Sequence, residues 1–250
     1  MVKDQENFSS KYSQMYDVEI RTQKALKALS IIDDFKIDTD GLTLLDIGCS
    51  SGIMTKIYSK YFSKTIGIDI DKSAIDFAID NFNQENLKFF NISYNSSELL
   101  NKKFDVITCS HIYEHVDDPQ DLMDTIYSLL NPGGICLFIA GNKLKFIEPH
   151  FKLPFLSYMP SKLGNLYIKL MKREGEFYQK HLSFFKLKKL VKKFIVHDYT
   201  IKTIKDPMRF LSDDLIKNNS GKQLFYLIVS KLFYFIVPTY IWILEKQAIK

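Results

Sequence analysis

Apolar residues fall in short runs of strand length at 42–47, 65–69, 86–92, 104–108 and 135–140. Between these runs the apolar positions follow a helical period instead. Ile20, Leu26, Leu29, Ile32 and Phe35 form one such set, which Gly41 stops. A glycine turn at 48–52 leads into a helix that runs to about Phe62. Ser73 is placed to cap a helix carrying Ile75, Phe77, Ala78, Ile79 and Phe82. Asp118-Pro119 opens another with Leu122, Met123, Ile126, Leu129 and Leu130, and Asn131-Pro132-Gly133-Gly134 ends it in a turn. Strands alternating with helices in this way predict a doubly wound, mostly parallel α/β sheet with right-handed crossovers.

The rhythm breaks after Gly141. Residues 142–182 are rich in Lys, Phe, Leu, Tyr and Pro, with regular structure expected only over 163–171, and read as a basic, aromatic lid inserted into a single domain spanning 1–250. A helix over 184–194 and a sixth strand over 195–204 follow. The stretch 224–244 carries one charge, Lys231, and is long enough to span a bilayer. Pro238 divides it and Ser230-Lys231 interrupt it, so the preferred split is a hydrophobic helix over 223–236 and a seventh strand over 239–244 closing the sheet's edge. Residues 206–236 are then a hydrophobic helical insertion before the last strand.

Charge sharpens this picture. The net charge is +5, but residues 143–193 hold thirteen Lys/Arg against three Glu, so this segment is +10 and the rest of the chain −5. An anionic partner is expected on that side. Cys49, Cys109 and Cys136 lie far apart in apolar runs with no metal-ligand spacing, and read as buried thiols of a reducing compartment. No apolar leader is visible in residues 1–10. The expected location is cytoplasmic, with a peripheral membrane surface as the alternative.

Candidate chemistry gathers at strand ends. Asp46, Gly48, Cys49, Ser50 and Gly52 form a strand-turn-helix element that brings backbone amides toward a ligand. It departs from G-x-G-x-x-G, which disfavours a nicotinamide cofactor. Asp69 ends the second strand, where a carboxylate can accept from ribose hydroxyls; Asp71 competes for that place. Beyond the fourth strand stand Ser110, His111, Glu114 and His115. If that segment is helical, His111, Glu114 and His115 share one face and could hold a divalent metal. The alternative is hydrogen-bonding structure at the sheet's rim, and no metal ligand is assigned. His150 and His181 flank the lid, and His181 is preferred because a helix follows and anchors it.

Together, Asp46 to Gly52, Asp69, the Glu114-His115-Val116 segment with Asp118-Pro119, and the Asn131-Pro132-Gly133-Gly134 turn resemble the ordered motifs of class I S-adenosylmethionine-dependent methyltransferases over residues 40–140. The resemblance implies a seven-stranded Rossmann-like sheet, S-adenosyl-L-methionine as cofactor, Asp69 on its ribose and Ile70 on its adenine. Ser50 stands where the family usually has glycine. Asn91-Ile92-Ser93 replaces a common adenine-contacting Asp, leaving Ser93 as the substitute. In the similar ubiquinone-pathway O-methyltransferases, a Glu occupies the place of His111. The implied reaction is in-line methyl transfer to a small-molecule, lipid-linked or glycan acceptor. Positioning supplies most of the acceleration, and His111, His115 or His181 serves as base. Basic and aromatic residues of the lid, with the apolar 206–236 segment, also suit an anionic lipid surface. A nucleic-acid acceptor is the weaker alternative, because no Asn/Asp-Pro-Pro-aromatic motif follows the fourth strand. A non-catalytic binding module is the remaining one.

Overall fold

The computed structural model describes residues 9, 12–35, 38–144, 147–148, 151–175, 177 and 181–248. Helix α1 (Val18–Asp34) precedes β1 (Thr43–Ile47), α2 (Ile53–Tyr58), β2 (Lys64–Ile68), α3 (Lys72–Asn81) and β3 (Leu87–Phe90). Then come β4 (Phe104–Ser110), α4 (Pro119–Leu129) and β5 (Leu130–Gly141). A two-stranded hairpin, β6 (Ile147–Glu148) and β7 (Leu153–Pro154), leads to α5 (Ser161–Leu170). The chain continues through α6 (Phe184–Leu190), β8 (Ile195–Asp198), α7 (Thr200–Lys205), α8 (Gly221–Leu232) and β9 (Thr239–Glu245).

Seven strands make one sheet in the order β3-β2-β1-β4-β5-β9-β8. The first five are parallel, and β9 runs antiparallel to both neighbours. Side-chain alternation explains why both faces are covered. Leu44, Val106, Leu137 and Ile243 point to the face where α1 packs through Ala25, Ala28 and Ile32. Their neighbours Leu45, Ile107, Phe138 and Trp242 point to the other, against Leu122, Ile126 and Leu187. Asp118 caps α4 by accepting from the amides of Gln120 and Asp121, and Pro119 occupies its first turn.

Several elements differ from expectation. Asp71, not Ser73, caps α3: its carboxylate accepts from the Ala74 amide at 3.2 Å and from the Ser9 amide at 2.7 Å. Leu130 and the Asn131–Gly134 turn belong to β5, whose register with β4 shifts between Phe104 and Val106. The sixth main-sheet strand stops at Asp198, because Tyr199 turns the chain and Ile201 and Ile204 lie in α7. The seventh does not close an edge; it inserts between β5 and β8. The 224–244 stretch divides into α8, a 3-10 turn (Tyr234–Ile236) and β9. Among the described residues no helix is long and apolar enough to cross a membrane.

Candidate functional site

The strand order reverses between β1 and β4, where Ile47 pairs with Cys109. In open α/β sheets, ligands bind in the crevice outside the strands' carboxyl ends at such a switch point. Gly48 (φ +77°), Ser50 (φ +50°) and Gly52 (φ +73°) make the turn after β1, all in the left-handed region. A Cβ on Gly48 would stand 2.0 Å from the Ile112 side chain, so the turns after β1 and β4 meet there.

Four amides of this turn are used internally. Those of Gly48 and Cys49 donate to the Ile68 carbonyl at 2.9 and 3.1 Å, and that of Gly52 to Cys49. The Ser50 amide donates to Asp69 Oδ2 at 2.8 Å, and the Asp71 amide to Asp69 Oδ1 at 2.9 Å. Burial raises the Asp69 pKa above its ordinary value while these two amides oppose the rise. The two amides fix the orientation of Asp69 at the strand ends, whereas Asp71 is spent on capping. The Ser50 hydroxyl is buried with no hydrogen-bond partner among the described residues.

Asp46 supports the turn from behind. It is buried, and its oxygens accept from the hydroxyls of Thr55 and Thr108, each at 2.6 Å. Cys49 is also buried, its thiol pushed up in pKa by burial, and it packs with Ile75, Ala78 and Phe89. Ile70, Ser93 and Ser110 are half-buried at the ends of β2, β3 and β4. The N-terminal segment had no expected part in the site, yet it folds over this turn. Ser51 donates its hydroxyl to the Met15 carbonyl, and the Tyr16 ring stands edge-on to Phe77 at 5.0 Å. The aromatic Tyr12 and Tyr16 just before the Asp17 cap of α1 were the available signal.

Across the crevice, an acid-imidazole cluster follows β4. The segment is not helical, since His111 takes φ +57° and turns follow it. The shared helical face expected for His111, Glu114 and His115 therefore does not form. Instead His111 Nδ1 reaches Glu114 Oε1 at 3.1 Å, and His181 Nε2 approaches the same oxygen at 3.9 Å. Glu114 and His181 are buried, His111 is exposed and His115 half-buried. Burial alone would raise the Glu114 pKa. The hydrogen bond and charge of His111, with the charges of His181 and His115, hold it below the ordinary value. Glu114 Oε2 is buried with no hydrogen-bond partner among the described residues. Among those residues, no group of three or more His, Cys, Asp or Glu side chains is placed to hold a metal ion.

Two residues outside the expected set complete this side. The Tyr113 hydroxyl donates to the Gly141 carbonyl and accepts from the Leu182 amide. Asn142, fully buried, pairs with Leu182 and donates to the carbonyls of Phe235 and Val237 at 2.9 and 2.8 Å. Segment 142–182 thus leaves and rejoins the sheet at one point, beside His181. Its hairpin and α5 pack around their own small cluster of Leu153, Leu156, Ile168 and Phe177. His150 lies outside the described residues.

Comparison with known proteins points the same way. Residues 20–201 match the family model described as "Methyltransferase domain". The chain is 34% identical over 113 residues to the ubiquinone biosynthesis O-methyltransferase of Coxiella burnetii, covering 43% of this chain and 47% of that protein. It is 31% identical over 142 residues to the mitochondrial ubiquinone biosynthesis O-methyltransferase of Dictyostelium discoideum, covering 52% and 41%. It thus spans less than half the length of either relative. Among solved structures, the plantazolicin methyltransferase BpumL in complex with a monoazolic desmethylPZN analog and SAH superposes with a TM-score of 0.59. That likeness covers 96% of this chain and 89% of the other at 19% identity, and it concerns the fold.

Proposed function

The chain belongs to the class I S-adenosylmethionine-dependent methyltransferase family, and on that premise we propose that it methylates a small-molecule acceptor with His181 as general base. The acceptor class is amphiphilic: lipid-linked, or a glycan carrying an apolar part. One observation carries this reading. Two polar clusters stand at the carboxyl ends of the switch-point strands: Asp69 with Ser50 after β2 and β1, and Glu114 with His111 and His181 after β4.

The residues present fit S-adenosylmethionine. Asp69 would hold the ribose hydroxyls, and Ile70 would pack on the adenine. The partnerless Ser50 hydroxyl offers a further polar contact, and Ser93 and Ser110, half-buried at the carboxyl ends of β3 and β4, would add to it. Gly48 keeps the turn free of bulk, while Asp46 and Cys49 hold its shape from within. When bound, the cofactor supplies the sulfonium methyl and its own leaving group. The protein aligns the acceptor and removes its proton. His181 receives that proton, and the buried Glu114 carboxylate stabilises the imidazolium formed. His111 and His115 act through Glu114 by keeping it ionised. Segment 142–182 serves as a lid over the acceptor, hinged where Asn142 meets Leu182.

The test is mass spectrometry of lipid, glycan and small-molecule extracts incubated with the protein and methyl-labelled S-adenosylmethionine. A labelled product of one added methyl is expected in a fraction containing amphiphiles. A chain that gains thermal stability with the cofactor yet labels nothing would be a binding module instead.

A further inference from the structure

Helix α8 is built inside out. Gln223 and Ser230 face the protein and are buried, whereas Leu224, Phe225, Ile228 and Leu232 are between 50% and 68% exposed. A surface helix ordinarily shows the reverse arrangement. Hydrogen bonds hold it in this orientation: the Gln223 amide nitrogen donates to the carbonyls of Ile204 and Lys205 at 2.9 and 3.1 Å, and its oxygen accepts from the Asn219 amide at 2.7 Å. The polar side of the helix thus satisfies the protein, and the apolar side is left outward.

The exposed apolar surface does not end with the helix. Phe233 and Phe235 extend it, and α6 adjoins it, since the Phe184 ring stands 5.3 Å from that of Tyr234. On α6 itself, Phe185 is 71% exposed. A contiguous face of this kind marks a binding surface. Its charge selects the partner. Residues 215–244 contain Lys217, Lys222 and Lys231 and no carboxylate, and residues 184–194 contain five lysines and no carboxylate. Two copies meeting through this face about a two-fold axis would set lysines against lysines. Apolar side chains with lysines on the same two elements suit an anionic bilayer, with rings in the acyl boundary and ammonium groups among the headgroups; the neighbouring Asp198 is engaged by the Tyr234 hydroxyl.

We infer that α8, the turn after it and the lysine face of α6 dock this protein on an anionic lipid surface. The docking face connects to the site through Asn142, whose side chain holds the carbonyls of Phe235 and Val237 while its backbone pairs beside His181. An amphiphilic acceptor would therefore enter from the bilayer at the lid's hinge. This deepens the functional reading by naming the source of the acceptor, and it is measured without turnover.

The experiment is co-sedimentation of the full chain with phosphatidylglycerol/phosphatidylcholine vesicles and with phosphatidylcholine alone. The wild type is expected to pellet with the anionic vesicles. The exposed-site variant Leu224→Ser/Phe225→Ser/Ile228→Ser should bind them at least about tenfold more weakly. Replacing Lys186, Lys189 and Lys192 by Ala, or raising the salt, should also release the protein. A cofactor-induced rise in melting temperature verifies that each variant is folded; its absence in the wild type would count against the methyltransferase reading and leave vesicle binding as a separate result. Three outcomes overturn the inference. They are a wild type that stays in the supernatant, a serine variant that pellets as the wild type does, and a wild type that sediments as a dimer split by the variant, which would give the face to a second copy.

Discussion

The amide of Ser50 donates to the carboxylate of Asp69 at 2.8 Å, fastening the turn after β1 to the end of β2. With the Asp71 amide on its other oxygen, Asp69 is held in one orientation. Asp69→Asn keeps the size but removes the charge and one of the two acceptor oxygens. Loss of a charged hydrogen bond of about 1.5–3 kcal/mol predicts S-adenosylmethionine affinity lower by about 10- to 100-fold in calorimetry. An unchanged affinity would mean that the ribose lies elsewhere.

The left-handed backbone at Ser50 makes a second prediction. A side chain there costs roughly 1–2 kcal/mol relative to an unstrained position, and glycine carries no such penalty. Ser50→Gly is expected to keep or slightly raise the denaturant midpoint and to retain cofactor binding, weakened only by loss of the hydroxyl's contact. Gly48→Val should abolish binding, because even a Cβ there meets Ile112 at 2.0 Å. Retained affinity in the valine variant would move the site away from this turn.

Acid should weaken the protein through Glu114. Its folded-state pKa lies below the ordinary 4.5, so ionised Glu114 adds stability above its unfolded pKa and yields it as pH falls through the folded one. Denaturant midpoints measured from about pH 6 downward should decline in the wild type. Glu114→Gln should decline less steeply, with the remaining slope owed to Asp71, Asp105 and Asp124, whose pKa values are also lowered. Parallel curves would remove Glu114 from that balance.

Gly141 allows His181 to be tested without replacing it. A Cβ on Gly141 would lie 2.9 Å from His181 Cδ2 and Nε2, and its backbone needs no left-handed conformation. Gly141→Ala should displace the imidazole, lowering kcat while the cofactor Kd stays unchanged. His181→Ala should lower kcat by about 10²- to 10⁴-fold, the range for loss of a general base. Normal turnover in both would pass the role to His111 or His115.

The sheet was legible because burial on both faces writes continuous apolar runs such as Leu44-Leu45 and Val106-Ile107, and because turn residues bound them. What local pattern could not show was competition between neighbours. Ser73 and Asp71 are both good caps, and Asp71 prevails because its carboxylate also receives the Ser9 amide. At His111 a helical spacing gave way to a left-handed turn after a long strand. The meeting of His181 with Glu114 depends on the 142–182 excursion returning to its starting point, which no spacing encodes. In α8 the apolar run was evident, but its direction was not. Of the two polar residues that decide it, Gln223 read as the start of the helix and Ser230 as an interruption, neither as part of an inward stripe.

The position of β9 bears on how the molecule is made. It is the last strand in chain order, yet it lies between β5 and β8 rather than at a margin. Trp242, fully buried, carries it into the aromatic core against Phe138 and Tyr240. On the ribosome, β1 to β5 can assemble as they emerge, but β8 has no sheet partner until residues 239–245 appear. Until then β5 presents an open edge of twelve residues. The sheet is therefore completed by the insertion of a strand into an internal slot, and a nascent chain halted before Thr239 would expose that edge to other chains.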